Sequence, residues 1–398
     1  MSEQTHIVER HCGIYNTGND CFMNSSLQCL ASCPFMLEFI KHYIIEDIEI
    51  TNILKKYASL NNDDPKVIKQ ECANLLSNPD IILTNDEKKI ITYIAKKSDS
   101  IYLYIVIKDM IKYIIFKRDK TLNPKCLIDI GKHITQGKGF EHLFSGEQND
   151  PHEFLAFILD ILHNSKSRAV KLSSPPIQPT HTQVNRQYFE HYKTRYENDH
   201  SFFVKNFYYY MLNCVQCAKC EHKSWEMSPS DIICLPMPEN VFSLANINIY
   251  DCFKELFQTE KVDYKCEKCG NTEENHLEKK ILTRPRTLIV KLKRYAAIGN
   301  GLAKVSKFIA YPEILELKQY SCIEKNYRYQ LCGVINHIGV MNGGHYFAYT
   351  KELTVKNDKI VYENCWWECN DANVRPISID NVLMSQHAYM LFYAIIDE

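Results

Sequence analysis

Apolar positions recur at helical spacing through the first 165 residues and give way to strand-like runs beyond position 200. Phe22, Leu27 and Leu30 share a helical face, and the loop and cap residues Gly18, Asn19 and Asp20 stand just before it, so a helix is predicted to open at Cys21. Residues 41–139, rich in Ile, Lys, Asn and Asp, keep this spacing and predict a helical subdomain with turns at 61–65 and 123–124. Its charged residues read as a solvated helix face. The most apolar run, 101–116, is interrupted by Lys108, Asp109 and Lys112 and falls short of the roughly 18 apolar residues of a membrane span. A helix packed on the body is expected there, and no membrane partner.

A further helix start is written at Asp150-Pro151-His152-Glu153, with Asp150 at N-cap, Pro151 at N1 and Glu153 at N3 as in a capping box. Phe154, Phe157, Ile158, Ile161 and Leu162 form its apolar stripe. Residues 164–185, with Pro175, Pro176 and Pro179, read as a surface loop, drawn as 166–200 at its widest. Aromatic or β-branched runs at 202–212, 232–235 and 288–292 predict strands. Helices followed by sheet argue an α+β fold.

Composition narrows the class without naming a partner. The chain of 398 residues has 45% hydrophobic residues and balances 47 Lys and Arg against 48 Asp and Glu, so nothing in its charge steers it to nucleic acid. Its opening, Met1-Ser2-Glu3-Gln4-Thr5-His6, lacks the apolar core of a signal peptide, and 17 cysteines is an odd count. Thiols serving as ligands or nucleophiles inside the cell, in cytoplasm or nucleus, are expected rather than a disulfide framework.

Three features carry chemistry. A thiol in the first turn of a helix meets unpaired N–H groups that favour an anion, so Cys21 is a candidate nucleophile with a pKa expected below about 8.5, against the plainer reading of a buried core cysteine. Cys217-Ala218-Lys219-Cys220 and Cys266-Glu267-Lys268-Cys269 are two C-x-x-C pairs able to complete one closed tetrahedral Zn²⁺ site, if two hairpins pack side by side. Cys214 offers an overlapping pair with Cys217. The pairing of Cys217 with Cys220 is preferred, because it lies nearer the following strand. Finally, residues 337–349 and 366–371 each read as strand, glycine or polar turn, strand, with Gly343 and Gly344 clearing space before His345. A cysteine nucleophile needs a base and the base needs an orienting partner, roles open to His345 and to Asn370 or Asp371.

Taken together, these residues resemble the ubiquitin-specific proteases, papain-like cysteine deubiquitinases, from Gly13 to Tyr393 and least well over 43–138. Residues 16–30 are similar to the family's cysteine box, 148–154 to its Gln-Asp box, and 337–349, 366–371 and 388–393 to its histidine-box blocks. The resemblance implies a single catalytic domain: a helical thumb at 12–165 with an insertion at 45–138, zinc-bearing β fingers at 201–295 and a β palm at 296–398. It implies Cys21 as nucleophile, His345 as base and then acid, Asn370 as third triad member beside Asp371, and Asn16 as the oxyanion-hole carboxamide. Gln148, Asp150, Gly344 and Tyr346 would contact the ubiquitin tail. Ser224, four positions after Cys220, also favours Cys217 over Cys214 as zinc ligand.

The implied activity is hydrolysis after the C-terminal glycine of ubiquitin on ubiquitinated proteins, by a monomer with one structural zinc and no catalytic cofactor. Two alternatives are a catalytically impaired ubiquitin-binding scaffold and a protease for another ubiquitin-like modifier. The first arises from departures: Asp20 stands where the family usually has threonine and is expected to raise the Cys21 pKa, and Cys369 replaces an aromatic, loosening the packing behind Asn370.

Overall fold

In the computed structural model, residues 12–396 are described, except 61, 63, 117–119, 174–182, 240, 299–300, 323–326, 341–342 and 358. Among the described residues up to position 166 there are eight α-helices: α1 Cys21–Ala31, α2 Pro34–His42, α3 Ile44–Lys56, α4 Pro65–Ser77, α5 Asn85–Lys96, α6 Ile101–Phe116, α7 Lys125–Thr135 and α8 Pro151–Lys166. Their ends follow local chemistry. Asp64 caps α4 through the Lys66 N–H at 2.8 Å, with Pro65 at N1. Thr84 and Glu87 form a reciprocal capping box at α5.

The predicted insertion is therefore helical, but its charges are not all solvated. Asp47 on α3 and Lys108 on α6 are buried and pair at 3.2 Å, and the Tyr104 hydroxyl donates to the same carboxylate at 2.7 Å. A buried ion keeps its charge only with such partners.

Two helices fall where the sequence suggests otherwise. Within the expected surface loop, Gln183–Tyr196 is helix α9, whose Tyr188 and Tyr192 pack against a buried cluster that includes Tyr196 and Tyr210; residues 174–182 of that loop lie outside the described residues. The expected strand at 202–212 begins instead as α10, Phe202–Asn206, because Ser201 caps it through the Phe203 N–H at 3.2 Å. Then follow β1 Tyr209–Gln216, β2 Lys223–Ser230, β3 Ile232–Leu235, α11 Ile249–Phe257, β4 Glu260–Val262, β5 Asn275–Ile281 and β6 Thr287–Leu292. The remainder is β7 Tyr295–Ile298, β8 Gly301–Lys304, β9 Ile314–Glu316, β10 Arg328–Val340, β11 Gly343–Lys356, β12 Lys359–Asn370, β13 Asn373–Ile377, α12 Ile379–Leu383 and β14 Ala388–Ile395.

These elements divide into two compact units, Met1–Ser165 with His345–Ser378, and Lys166–Gly344 with Ile379–Glu398. The expected palm at 296–398 is thus split, because β12 packs on α1 and α2. In the first unit α1 is buried on every side; Phe22, Leu27 and Leu30, each 2% exposed or less, contribute about 1.5–3 kcal/mol apiece. Phe22 meets Phe154 of α8 edge-on at 5.6 Å. Strands β11, β12 and β13 form an antiparallel meander, with Ala348 opposite Cys369 and Asn370 opposite Asn373 at the β12–β13 turn.

In the second unit β2, β1, β5 and β4 form one antiparallel sheet in that order. A separate set joins β10 to β14 and β14 to β6, both antiparallel, and β6 to β3 in parallel. Fully buried Arg294 holds this set to the following loop through the carbonyls of Ala388, Val305 and Lys307. Among the described residues, no helix is long and apolar enough to cross a membrane.

Candidate active site and metal centre

The first unit gathers five of the predicted residues at the start of α1 and the end of β12. Cys21 is the first residue of α1 and 3% exposed. Burial pushes its thiol pKa up, opposed by the N–H groups of Tyr346, Phe22 and Cys21 itself, while Asp371 adds a further upward push. The expected helix-start effect is thus present, but burial outweighs it, so the depressed pKa predicted from sequence is corrected to a raised one. The Tyr346 N–H also places the thiol beside the strand residue that follows His345.

His345 is 40% exposed at its side chain, and its Nε2 lies 2.7 Å from Asn370 Oδ1 and 4.0 Å from Asp371 Oδ2. The choice left open between Asn370 and Asp371 falls on Asn370 as the direct partner. Asp371 does something else. Its Oδ2 accepts from Asn16 Nδ2 at 3.0 Å and its Oδ1 from Asn24 Nδ2 at 2.8 Å. The β12–β13 turn is held against the chain before α1: Ile14 N–H donates to Asp371 O at 2.9 Å, and a Cβ on Gly13 would stand 2.3 Å from Ala372 O. Only glycine permits that approach.

Asp20 does not act as expected. Its carboxylate turns back to accept the Thr17 N–H at 2.9 Å and the Thr17 hydroxyl, and its own N–H donates to Asn16 Oδ1 at 3.1 Å. It closes the 16–20 loop, and the carboxylate raising the thiol is Asp371. Nor does Cys369 leave the packing loose: it is 2% exposed with Sγ 3.5 Å from Thr350 Oγ1.

Gln148 is exposed and Asp150 half-buried on the segment entering α8. That segment is tied to the nucleophile loop, because Asn19 Nδ2 donates to Gly146 O at 2.9 Å. Asp150 caps α8 through the His152 N–H at 2.9 Å, whereas Glu153, predicted to close a capping box, pairs with His142 at 3.1 Å. Tyr346 is half-buried. Gly344 belongs to the second unit, where a Cβ would stand 2.3 Å from His337 Nε2; the close backbone approach expected there is by its own hairpin.

The sequence reading passed over Asn24 and Thr17. The sequence offered only the position of Asn24, a carboxamide one helical turn after Cys21; its burial appears only in the structure.

The second unit brings the four predicted cysteines together. Cys217 and Cys220 lie in the β1–β2 turn, Cys266 and Cys269 in the β4–β5 connection, and all four Sγ atoms fall within 4.8 Å of one another. Sγ separations of 3.6 Å for Cys217–Cys269 and Cys220–Cys266 are close to the edge of about 3.8 Å in a tetrahedron with Zn–S bonds near 2.3 Å. Cys214 sits within β1 opposite Trp225, outside the cluster. Burial opposes ionisation of Cys217, yet the N–H groups of Cys220 and Lys219 together with the thiols of Cys269 and Cys220 outweigh it and pull the thiol below its ordinary value. The His222 N–H also favours a thiolate at Cys220, but burial and the neighbouring sulfurs push that thiol up to about 12. A dication would stabilise the thiolates that such a site requires. These donors fit a metal.

The first unit thus carries Cys, His and Asn side chains of the kind a thiol hydrolase uses. Residues 12–393 match the family described as ubiquitin carboxyl-terminal hydrolase, and the chain belongs to that family, as a cysteine-type ubiquitin-specific protease. It is 24% identical to a probable ubiquitin carboxyl-terminal hydrolase of Acanthamoeba polyphaga mimivirus, over 98% of this chain and 91% of that one. It is 26% identical to ubiquitin carboxyl-terminal hydrolase 25 of Arabidopsis thaliana and to ubiquitin carboxyl-terminal hydrolase 2 of Homo sapiens, each over 96% of this chain. The chain spans 47% and 54% of those two proteins, about half their length. Among solved structures, the SAGA deubiquitinating module of Ubp8, Sgf11, Sus1 and Sgf73 bound to monoubiquitin aligns with a TM-score of 0.62 at 21% identity, covering 97% of this chain and 69% of that one.

Proposed function

We propose that this chain hydrolyses the isopeptide or peptide bond after the C-terminal glycine of ubiquitin, with Cys21 as nucleophile. The observation that carries the proposal is the gathering of Cys21, His345, Asn370 and Asn16 in one unit from distant parts of the chain. With Asn370 Oδ1 facing it, His345 Nε2 holds the ring proton, leaving Nδ1 as the base. His345 then takes the Cys21 proton as sulfur attacks the carbonyl and returns it to the leaving amine; water hydrolyses the thioester by the same exchange in reverse. Asn16 Nδ2 has one hydrogen on Asp371 and a second for the oxyanion. Gln148, Asp150, Gly344 and Tyr346 belong to the same reading as contacts for the ubiquitin tail.

The four cysteines would hold one structural zinc, which fastens the β1–β2 and β4–β5 turns and has no part in the chemistry. Cys21 has to stay reduced, so an intracellular, reducing compartment belongs to the proposal, as does a monomeric state. The test is a ubiquitin-propargylamide probe: it should form one adduct per chain with wild type and none with Cys21→Ser. An adduct that survives the substitution would place the nucleophile elsewhere, and one formed only with another modifier's probe would change the substrate.

A further inference from the structure

Asn24 lies one turn beyond Cys21 on α1 and is 2% exposed. Its Nδ2 donates to Asp371 Oδ1 at 2.8 Å and to the Tyr15 carbonyl at 3.2 Å, with the Ile14 carbonyl at 3.5 Å. Its Oδ1, by contrast, is buried with no hydrogen-bond partner among the described residues. A carboxamide with its acceptor orphaned is a poor way to stabilise a helix, since an apolar side chain of similar size would leave no such group behind. What the residue accomplishes must lie in its NH₂.

That NH₂ holds two things at once, the backbone leading into the nucleophile loop and one oxygen of Asp371. The other Asp371 oxygen holds Asn16 Nδ2, while Asn16 Oδ1 accepts the N–H groups of Gly18 and Asp20, each at 3.1 Å. A carboxylate held at one oxygen can still rotate; held at both, its plane is set. Asp371 itself is at φ +49°, in the left-handed region at the β12–β13 turn, so its side chain leaves the turn in a direction that an ordinary extended residue would not offer.

We infer that Asn24 is a positioning residue for the oxyanion donor, acting through Asp371: by fixing one carboxylate oxygen it orients the other, and thereby Asn16, before substrate arrives. The inference rests on the proposed role of Asn16. A donor oriented in advance stabilises the developing oxyanion without reorganising during the reaction. Loss of Asn24 should therefore slow the chemical step while leaving ubiquitin binding in place.

The test is a double-mutant cycle on the full chain with a fluorogenic ubiquitin substrate. Rates are expressed per active site titrated with ubiquitin-propargylamide, so that misfolded molecules do not count. Asn24→Leu should lower kcat about tenfold with KM within about twofold. In an Asn16→Ala background the same substitution should lower kcat by less than about twofold, because the group it positions is gone. Asn24→Ser, smaller than the native side chain, should show the same coupling if leucine fits poorly. Equal losses in both backgrounds, or no loss in the first, would overturn the inference while leaving the hydrolase reading intact. An Asn16→Ala variant with unchanged kcat would instead remove the oxyanion assignment and this inference with it.

Discussion

Cys21 and Cys217 carry the same thiol in opposite settings. Cys21 is buried and hears the charge of Asp371, so three N–H groups do not suffice to bring its pKa down. Cys217 sits in a tight turn whose N–H groups, together with the thiols of Cys269 and Cys220, overcome burial and favour a thiolate. One unit keeps a thiol protonated until a base removes its proton; the other holds sulfur ready for a cation. Neither outcome follows from the residue type or from position at a helix start. It follows from the balance between desolvation and the dipoles and charges around each sulfur.

The comparison can be broken in a definite order. Cys21→Ser should abolish turnover of a fluorogenic ubiquitin substrate, by about 10,000-fold or more, with metal content and thermal midpoint unchanged. Cys266→Ser should do the reverse to the other thiol set: zinc by elemental analysis falls from about one per chain to near zero, and the second unit becomes easier to melt. Zinc and stability both unchanged would sink the four-cysteine site.

Smaller effects sharpen the comparison. Asn370→Ala should reduce kcat on the order of 10- to 100-fold, because His345 loses the acceptor that sets its tautomer; a loss confined to KM would contradict that role. Below its raised pKa the Cys21 thiolate fraction, and hence alkylation by iodoacetamide, should rise about tenfold per pH unit and keep rising past the ordinary thiol range near 8.5. Asp371→Asn removes a charge that favours the protonated form, so the alkylation midpoint of the Cys21 peptide, followed by mass spectrometry, should move down. An unmoved midpoint would leave burial as the whole cause.

Much of the fold was legible where the signal was local. Asp150-Pro151 marks the start of α8 because cap chemistry acts within one turn, and the C-x-x-C spacing marks a tight turn for the same reason. The helix at Gln183–Tyr196 escaped because Tyr188 and Tyr192 are only partly buried and pack against a cluster that includes Tyr210 of β1, so its polar sequence looked like loop. The Phe202–Asn206 turn escaped because aromatic residues suit strands, until a Ser201 cap and fully buried Phe203 and Phe207 decide otherwise.

At the site, residue identities and chain order nominated Cys21, His345 and either Asn370 or Asp371, and the family resemblance added Asn16. Their relations were not in the sequence. Asp20 was a neighbour of the nucleophile along the chain, yet its carboxylate turns back to Thr17, while Asp371, some 350 positions away, raises the thiol and holds Asn16 and Asn24. Sequence therefore determined which functional groups are available and where turns and helix starts place them. Only the tertiary structure decided which charges face which atoms, because desolvation and Coulomb energies depend on distances between residues that the chain order does not encode.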